Sequence, residues 1–295
     1  MPEWSVSEPV RLTFDDPVTQ LRVRVVDGAV NVVGVEEGPA RLEVSALSGP
    51  PLTVTQEDGV LTVAYPDLAW KGLLSWLGGK EWERGAVVSV AVPADAVVSV
   101  GYVGAEVVVS GVRGSAEVRG VHGPATLTGI SGEVRAETVA GDVEVQAVTG
   151  GLRFRSVSGG LTVVEGAGAS VRAESVSGAV VIDLDPADAP SDVRLNTVSG
   201  EVAIRLPHPA DARVEATTAG GSVSNAFEDL RVDGQWGVKR ITGRLGAGRG
   251  TLKATTVSGS LALLRRPEPE APTAADNPDA PNAPETPDAP EGKVL

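Results

Sequence analysis

The chain has no cysteine among its 295 residues. Disulfides, thiolate nucleophiles and zinc–thiolate sites are excluded together. Aromatic residues make up only 3%, so the core must be aliphatic, supplied by valine and alanine. Positive charge is also short: 25 Lys and Arg against 39 Asp and Glu leave a formal net charge of −14. A negative field of that size argues against nucleic acid or an anionic lipid surface as a general partner, leaving room only for a local basic patch. No apolar run approaches the roughly 18 residues of a spanning helix. The start, MPEWSVSEPVRLTFDD, has no basic n-region, apolar h-region or small-residue cleavage site. These absences predict a cytoplasmic protein without an integral membrane segment.

What the sequence has instead is glycine at a fixed interval. Gly114, Gly123, Gly132, Gly141, Gly150, Gly159 and Gly168 recur every ninth residue, and Gly111, Gly120 and Gly129 run in parallel. Beyond them the period loosens to Gly178, Gly200, Gly220 and Gly259, mostly within V-S-G. Apolar residues fall two, four and seven places after each glycine, as in Val134, Ala136 and Val139, with charged residues between. Alternation at period two describes a half-buried strand. The step from four to seven marks a corner, where glycine is expected to supply unusual backbone angles. A short fixed period in a β-rich sequence means a solenoid. The expectation is an all-β, single-domain β-solenoid of stacked two-strand coils, about 18–20 residues each, whose neighbours sit about 4.8 Å apart. It places Arg119, Glu137 and Arg155 in one outer column, Glu117 beside Arg135, and Arg135 against Arg153.

Three segments follow. Residues 1–95 form an irregular β cap, with Asp27-Gly28 and Asp58-Gly59 as hairpin signals. The cap carries a short helical insert at 66–85, PDLAWKGLLSWLGGKEWERG. There Trp70, Leu73, Leu74 and Leu77 share a helical face with Trp76 at its edge, and together with Trp82 they form a candidate interaction patch, either a plug for the solenoid end or an anchor for a partner or membrane surface. Residues 96–264 are the solenoid repeats. Residues 265–295, rich in proline and acid, form a disordered tail.

No motif carries catalysis. Calcium β-rolls need G-G-x-G-x-D, which the repeats lack. Asp183, Asp185, Asp188 and Asp192 have oxygen ligands without EF-hand spacing. GRLGAGRG, residues 243–250, lacks the strand-then-helix context of a phosphate cradle. His122 and His208 have no nucleophile nearby, and the outward acids alternate with Arg or Thr. Catalytic, metal and cofactor-binding residues are therefore all read as none.

The run VSVAVPADAVVSVGYVGAEVVVSGVRGSAEV, then TVAGDV, SVSGGL and TVSGEV, resembles the bacterial toast-rack family of candidate adhesins, a domain of unknown function. The likeness spans roughly residues 8–264. It implies a single-domain β-solenoid-like fold, often attached to membrane-spanning modules and linked to envelope stress, with no catalytic residues to carry over. This chain differs in lacking a membrane segment. Two function classes follow: a non-enzymatic scaffold or binding module, monomeric or a small homo-oligomer, presenting flat faces to an unidentified protein partner; and a self-assembling structural protein resembling bactofilins. A β-helical polysaccharide-active enzyme is a remote third.

Overall fold

The computed structural model describes residues 2–65, 84–167, 170–185 and 192–266, and every regular element among them is a β-strand. The first eight are β1 (Glu3–Val6), β2 (Val10–Phe14), β3 (Gln20–Val25), β4 (Asp27–Val35), β5 (Ala40–Ser48), β6 (Leu52–Glu57), β7 (Val60–Ala64) and β8 (Gly85–Pro93). The repeats supply β9 (Val97–Tyr102), β10 (Glu106–Ser110), β11 (Ala116–Gly120), β12 (Ala125–Thr128), β13 (Val134–Thr138), β14 (Val143–Gln146), β15 (Leu152–Ser156) and β16 (Leu161–Gly166). They continue with β17 (Ser170–Ser175), β18 (Val180–Leu184), β19 (Asp192–Thr197) and β20 (Val202–Leu206). The last six are β21 (Ala212–Thr218), β22 (Val223–Asn225), β23 (Leu230–Gln235), β24 (Val238–Leu245), β25 (Gly250–Thr256) and β26 (Leu261–Arg265).

From β9 to β20 the odd strands lie in parallel in one 14-stranded sheet and the even strands in a second, 12-stranded sheet. Each coil is thus one strand of each sheet, stacked on the coil before. Inward residues such as Val134, Ala136, Val145, Leu152 and Phe154 belong to one aliphatic core that runs unbroken from Val6 to Leu263. The register follows the 18-residue arithmetic: Glu117 faces Arg135, Arg135 faces Arg153, and Arg119, Glu137 and Arg155 form one column. Arg119 lies 3.3 Å from Glu137, while Arg155 reaches forward to Glu174 at 3.2 Å.

The two corners of a coil share one close approach and differ in backbone angle. At both, a glycine is required by space rather than by its own φ. At the corner leading from the second sheet back to the first, a Cβ on Gly132 would lie 2.2 Å from the carbonyl oxygen of Gly114, and one on Gly150 would lie 1.9 Å from that of Gly132. At the corner leading from the first sheet to the second, Gly141, Gly159, Gly178 and Gly200 repeat this contact on successive coils at 1.9–2.1 Å. Of the series from Gly114 to Gly159, Gly123 alone has a left-handed φ, +101°; Gly168 lies outside the described residues. At the corner from the first sheet to the second, the residue three before the glycine is a buried hydroxyl that accepts its N–H: Thr138 for Gly141 at 2.8 Å and Ser156 for Gly159 at 2.7 Å. The valine of V-S-G consequently points outward, and Val157, Val176, Val198 and Val257 are about half exposed. The expectation that the seventh position is core fails here.

At the opposite corner it holds. Gly111, Gly129, Ala147 and Glu165 stack with left-handed φ of +67°, +62°, +51° and +54°. That twist turns the next apolar residue inward, burying Val112, Ile130 and Val148. Asp27-Gly28 also proves to be a crossing between sheets rather than a hairpin, since β3 and β4 lie in different sheets. Asp58-Gly59 does close the β6–β7 hairpin, with φ of +49° and +76°.

Both ends of the stack are interleaved. At one end β3 and β4 sit between β7/β8 and β9/β10, with β6, β5, β1 and β2 beyond them as an antiparallel cap. Trp4 and Phe14 meet edge-to-face across that cap, ring centroids 5.4 Å apart. At the other end the last coil of the chain, β25/β26, sits between β19/β20 and β21/β22. The antiparallel pair β24 and β23 lies beyond β21, with Leu230, Ile241 and Leu245 buried beneath it.

Two predictions follow from this geometry. Gly150→Ala is expected to cost at least the upper part of the roughly 1–3 kcal/mol range of overpacking. Its neighbour Gly151, where a Cβ meets nothing closer than the movable Ser170 hydroxyl at 3.1 Å, should accept alanine within about 0.5 kcal/mol; denaturant unfolding of the pair checks both. Truncation after Arg249 withdraws a coil from inside the stack and should abolish cooperative melting or lower Tm by roughly 10 °C or more, whereas truncation after Arg266 should leave Tm within about 2 °C.

Candidate functional site

The patch expected from the sequence, Trp70, Leu73, Leu74, Trp76, Leu77 and Trp82, lies outside the described residues, as does the tail from 267 onward. Its two attachment points are described. Tyr65 and Arg84, between β7 and β8, flank that segment in sequence, and the Arg84 guanidinium lies 5.8 Å from the Tyr65 ring.

The outer faces of the two sheets are unlike. On the first sheet Arg135, Arg153, Arg172, Arg194 and Lys253 are successive register partners from β13 to β25. Each is half-exposed; Glu117 and Glu215 bound the file as register partners of Arg135 and Lys253, and further carboxylates stand on its flanks. Glu133 lies 3.6 Å from Arg135 and 3.3 Å from Arg153; Asp192 lies 3.8 Å from Arg172 and 3.0 Å from Arg194. The corresponding column of the second sheet reads Thr126, Glu144, Thr162, Val181 and Ala203. Where β9 brings Ser99 between longer side chains, the first face dips into an open trough of about 470 Å³, walled by Arg22 and Arg24 on one side and Glu117 and Arg135 on the other. Burial, then the charge of Arg22, holds the Arg24 guanidinium below its ordinary pKa.

A second surface was not anticipated. The β23–β24 hairpin carries Trp236 at its tip, 92% exposed, with Val232 and Val238 exposed beside it. Trp236 and Gly237 form the two-residue turn with φ of +55° and +87°. The signal was present as Gln235-Trp236-Gly237-Val238, a residue-Gly turn between alternating segments.

The other singled-out residues are structural. Asp183 pairs with Arg205 at 3.2 Å, and Asp185 with Arg266; Asp188 lies outside the described residues. No group of acids and histidines among the described residues is placed to hold a metal ion. GRLGAGRG turns β24 into β25, and Asp211 accepts the Arg249 N–H at 2.9 Å there. His122 stands in the exposed turn after β11, and His208 in the connection from β20 to β21.

A family profile described as Toastrack DUF4097 matches residues 106–264, more than half of the chain. The chain belongs to the toastrack family. A search of curated proteins returned no match. Among solved structures, a candidate adhesin from Bacteroides fragilis NCTC 9343 is similar at 11% identity and a TM-score of 0.48, with 89% of this chain and 99% of that one covered. A candidate cell adhesion protein from Clostridium sporogenes ATCC 15579 is similar at 10% identity and a TM-score of 0.31, over 88% and 100%. A candidate lipid binding protein from Parabacteroides distasonis ATCC 8503 gives 10% identity and a TM-score of 0.33, over 89% and 98%.

Inside this toastrack solenoid burial holds the Tyr102 phenol in its neutral form. Tyr102 is buried, its ring filling the space left by Gly120, and its hydroxyl donates to the Gly123 carbonyl at 3.3 Å. Burial pushes its pKa up to about 12. The unfolded chain loses that proton near the ordinary value of about 10, so the stability tied to it is present below pH 10 and is lost as pH rises toward 12. Tyr102→Phe should cost roughly 0.5–1.5 kcal/mol at neutral pH. The gap to the unsubstituted protein should close between pH 10 and 12 in urea titrations.

Proposed function

We propose that this toastrack protein is a non-enzymatic, adhesin-like binding module that engages a protein partner through the β23–β24 end of its solenoid. The observation that carries this reading is Trp236, 92% exposed at the tip of a hairpin that is paired to β21 over seven residue pairs. A rigidly mounted tryptophan with apolar neighbours supplies the area and low ordering cost that make aromatic anchors dominate interfaces. The acids of the first outer face are engaged by arginines, as Glu117 is by Arg119 at 2.6 Å, which suits a surface of charge ladders better than a general acid. Binding of this kind needs no membrane span, and no helix among the described residues is long and apolar enough to cross one. A cytoplasmic placement, with peripheral membrane contact through Trp70 and Trp76, remains the expectation from the sequence, and the binding role is independent of it.

The bactofilin-like alternative has one observation in its favour: β23 is a terminal strand whose residues beyond Leu230 are all exposed. Against it, the opposite end closes with short antiparallel strands, and such ends oppose strand-to-strand growth. Trp236→Ser separates the two. If the module reading holds, the protein stays monomeric or a small oligomer in light scattering, and the variant keeps its Tm within about 2 °C while losing the partner that co-purifies from the native host. Pelleting on ultracentrifugation that the variant abolishes would replace this reading with self-assembly.

A further inference from the structure

We propose that the outer face of the first sheet binds a linear acidic glycan of the polyuronate type, one carboxylate per sugar, along the column Arg135, Arg153, Arg172, Arg194 and Lys253. The site is separate from the Trp236 end and independent of that reading.

The column is not a by-product of the fold. Like charges on directly adjacent strands destabilise a sheet, and five cations in consecutive register partners repeat that penalty four times. The second sheet stacks the same backbone with threonine, valine, alanine and one glutamate in the matching positions. Stacking therefore tolerates uncharged columns, and a chain with a net charge of −14 has concentrated its arginines here. Neutralisation is incomplete: Glu133 and Asp192 are each shared by two arginines, and Lys253 has Glu215 at 3.9 Å. In the column itself the five cations lie between two carboxylates, Glu117 as the register partner of Arg135 and Glu215 as that of Lys253. Glu133 and Asp192 flank the four arginines on one side, and on the other Glu137 and Glu174 are engaged by Arg119 and Arg155, so the flanking acids steer the guanidinium groups while leaving donors of each fork to a ligand.

The ligand's chemistry follows from the shape of the array. Four steps of about 4.8 Å make a straight cationic file roughly 19 Å long, which suits a single extended anionic chain. One sugar ring is about as long as one rung, so a polymer bearing a carboxylate on every ring keeps pace with the arginines. A planar carboxylate also matches the bidentate guanidinium fork. Nucleic acid fits less well, because the outward positions of β11 to β19 hold no aromatic side chain on which bases could stack.

The test is calorimetric titration of the full chain with polygalacturonate, using neutral dextran, polyphosphate and oligothymidylate as comparison probes. Polygalacturonate should bind, more weakly as salt rises. The triple variant Arg153→Gln, Arg172→Gln, Arg194→Gln should bind at least roughly tenfold more weakly, with the salt slope reduced by about two to three. Its Tm should stay level or rise, because like-charge contacts are removed, and Trp236→Ser should bind the polymer as the unsubstituted protein does. If the triple variant fails to fold, Arg153→Gln and Lys253→Gln singly carry the test, each expected to lose roughly twofold or more. Absence of binding, equal binding by the variants, or binding of polyphosphate or oligothymidylate at least as tight as that of polygalacturonate overturns the proposal.

Discussion

Parallel coils stack at hydrogen-bonding distance only if their corners can also come that close, and at both corners of a coil the backbone of one turn rests directly on the carbonyl of the turn below. That contact leaves no room for a side chain. Gly132 over Gly114, Gly150 over Gly132 and the matching series Gly141, Gly159 and Gly178 are consequences of distance, and the period of nine in the sequence is their trace. Once the corners touch, the strand ladders fall into register, the alternating residues find a common interior, and valine suffices to fill it without aromatic bulk. The buried hydroxyls of Thr138 and Ser156 serve the same contact by accepting the N–H that the tight corner would otherwise strand.

The interleaved ends answer the weakness of such a stack. A solenoid whose first and last coils are also its outermost ones can fray from either terminus, because each coil touches only its neighbours. Here the coil β3/β4 and the coil β25/β26 are interior, so neither can leave without parting two others. The scarce aromatic residues that are described fall partly at these ends, Trp4 with Phe14 at one and Phe227 at the other, where a large side chain closes what no further coil covers.

With the interior committed to stacking, chemistry is left to the outside. The two outer faces are built on the same backbone yet differ in charge, one a file of arginines and the other largely uncharged, and the hairpin at one end adds a tryptophan that the core does not use. These are the places where the chain departs from what stability alone asks of it, and such departures are where binding surfaces are expected.

Much of the architecture was legible along the chain, since alternation and a fixed glycine interval are local patterns. The 18-residue coil, the Arg119–Glu137–Arg155 column and the Arg135–Arg153 confrontation follow from counting. Other features depend on what lies a full coil away or further. Nothing within nine residues of Gly150 says that its constraint is the Gly132 carbonyl instead of its own φ, or that Val157 faces outward while Val148 faces in. The Asp27-Gly28 step reads as a hairpin until its flanking strands are seen in separate sheets. Lys253 extends the file of Arg135, Arg153, Arg172 and Arg194 only because β25, 59 residues beyond β19 by register (Val193 to Leu252), slots in beside it. The sequence by itself determined the coil, its period and its aliphatic core, because these rest on short-range periodicity. Tertiary structure alone decided the close corners, the interleaved ends and the composition of each face, because those arise from contacts between residues that the chain keeps far apart.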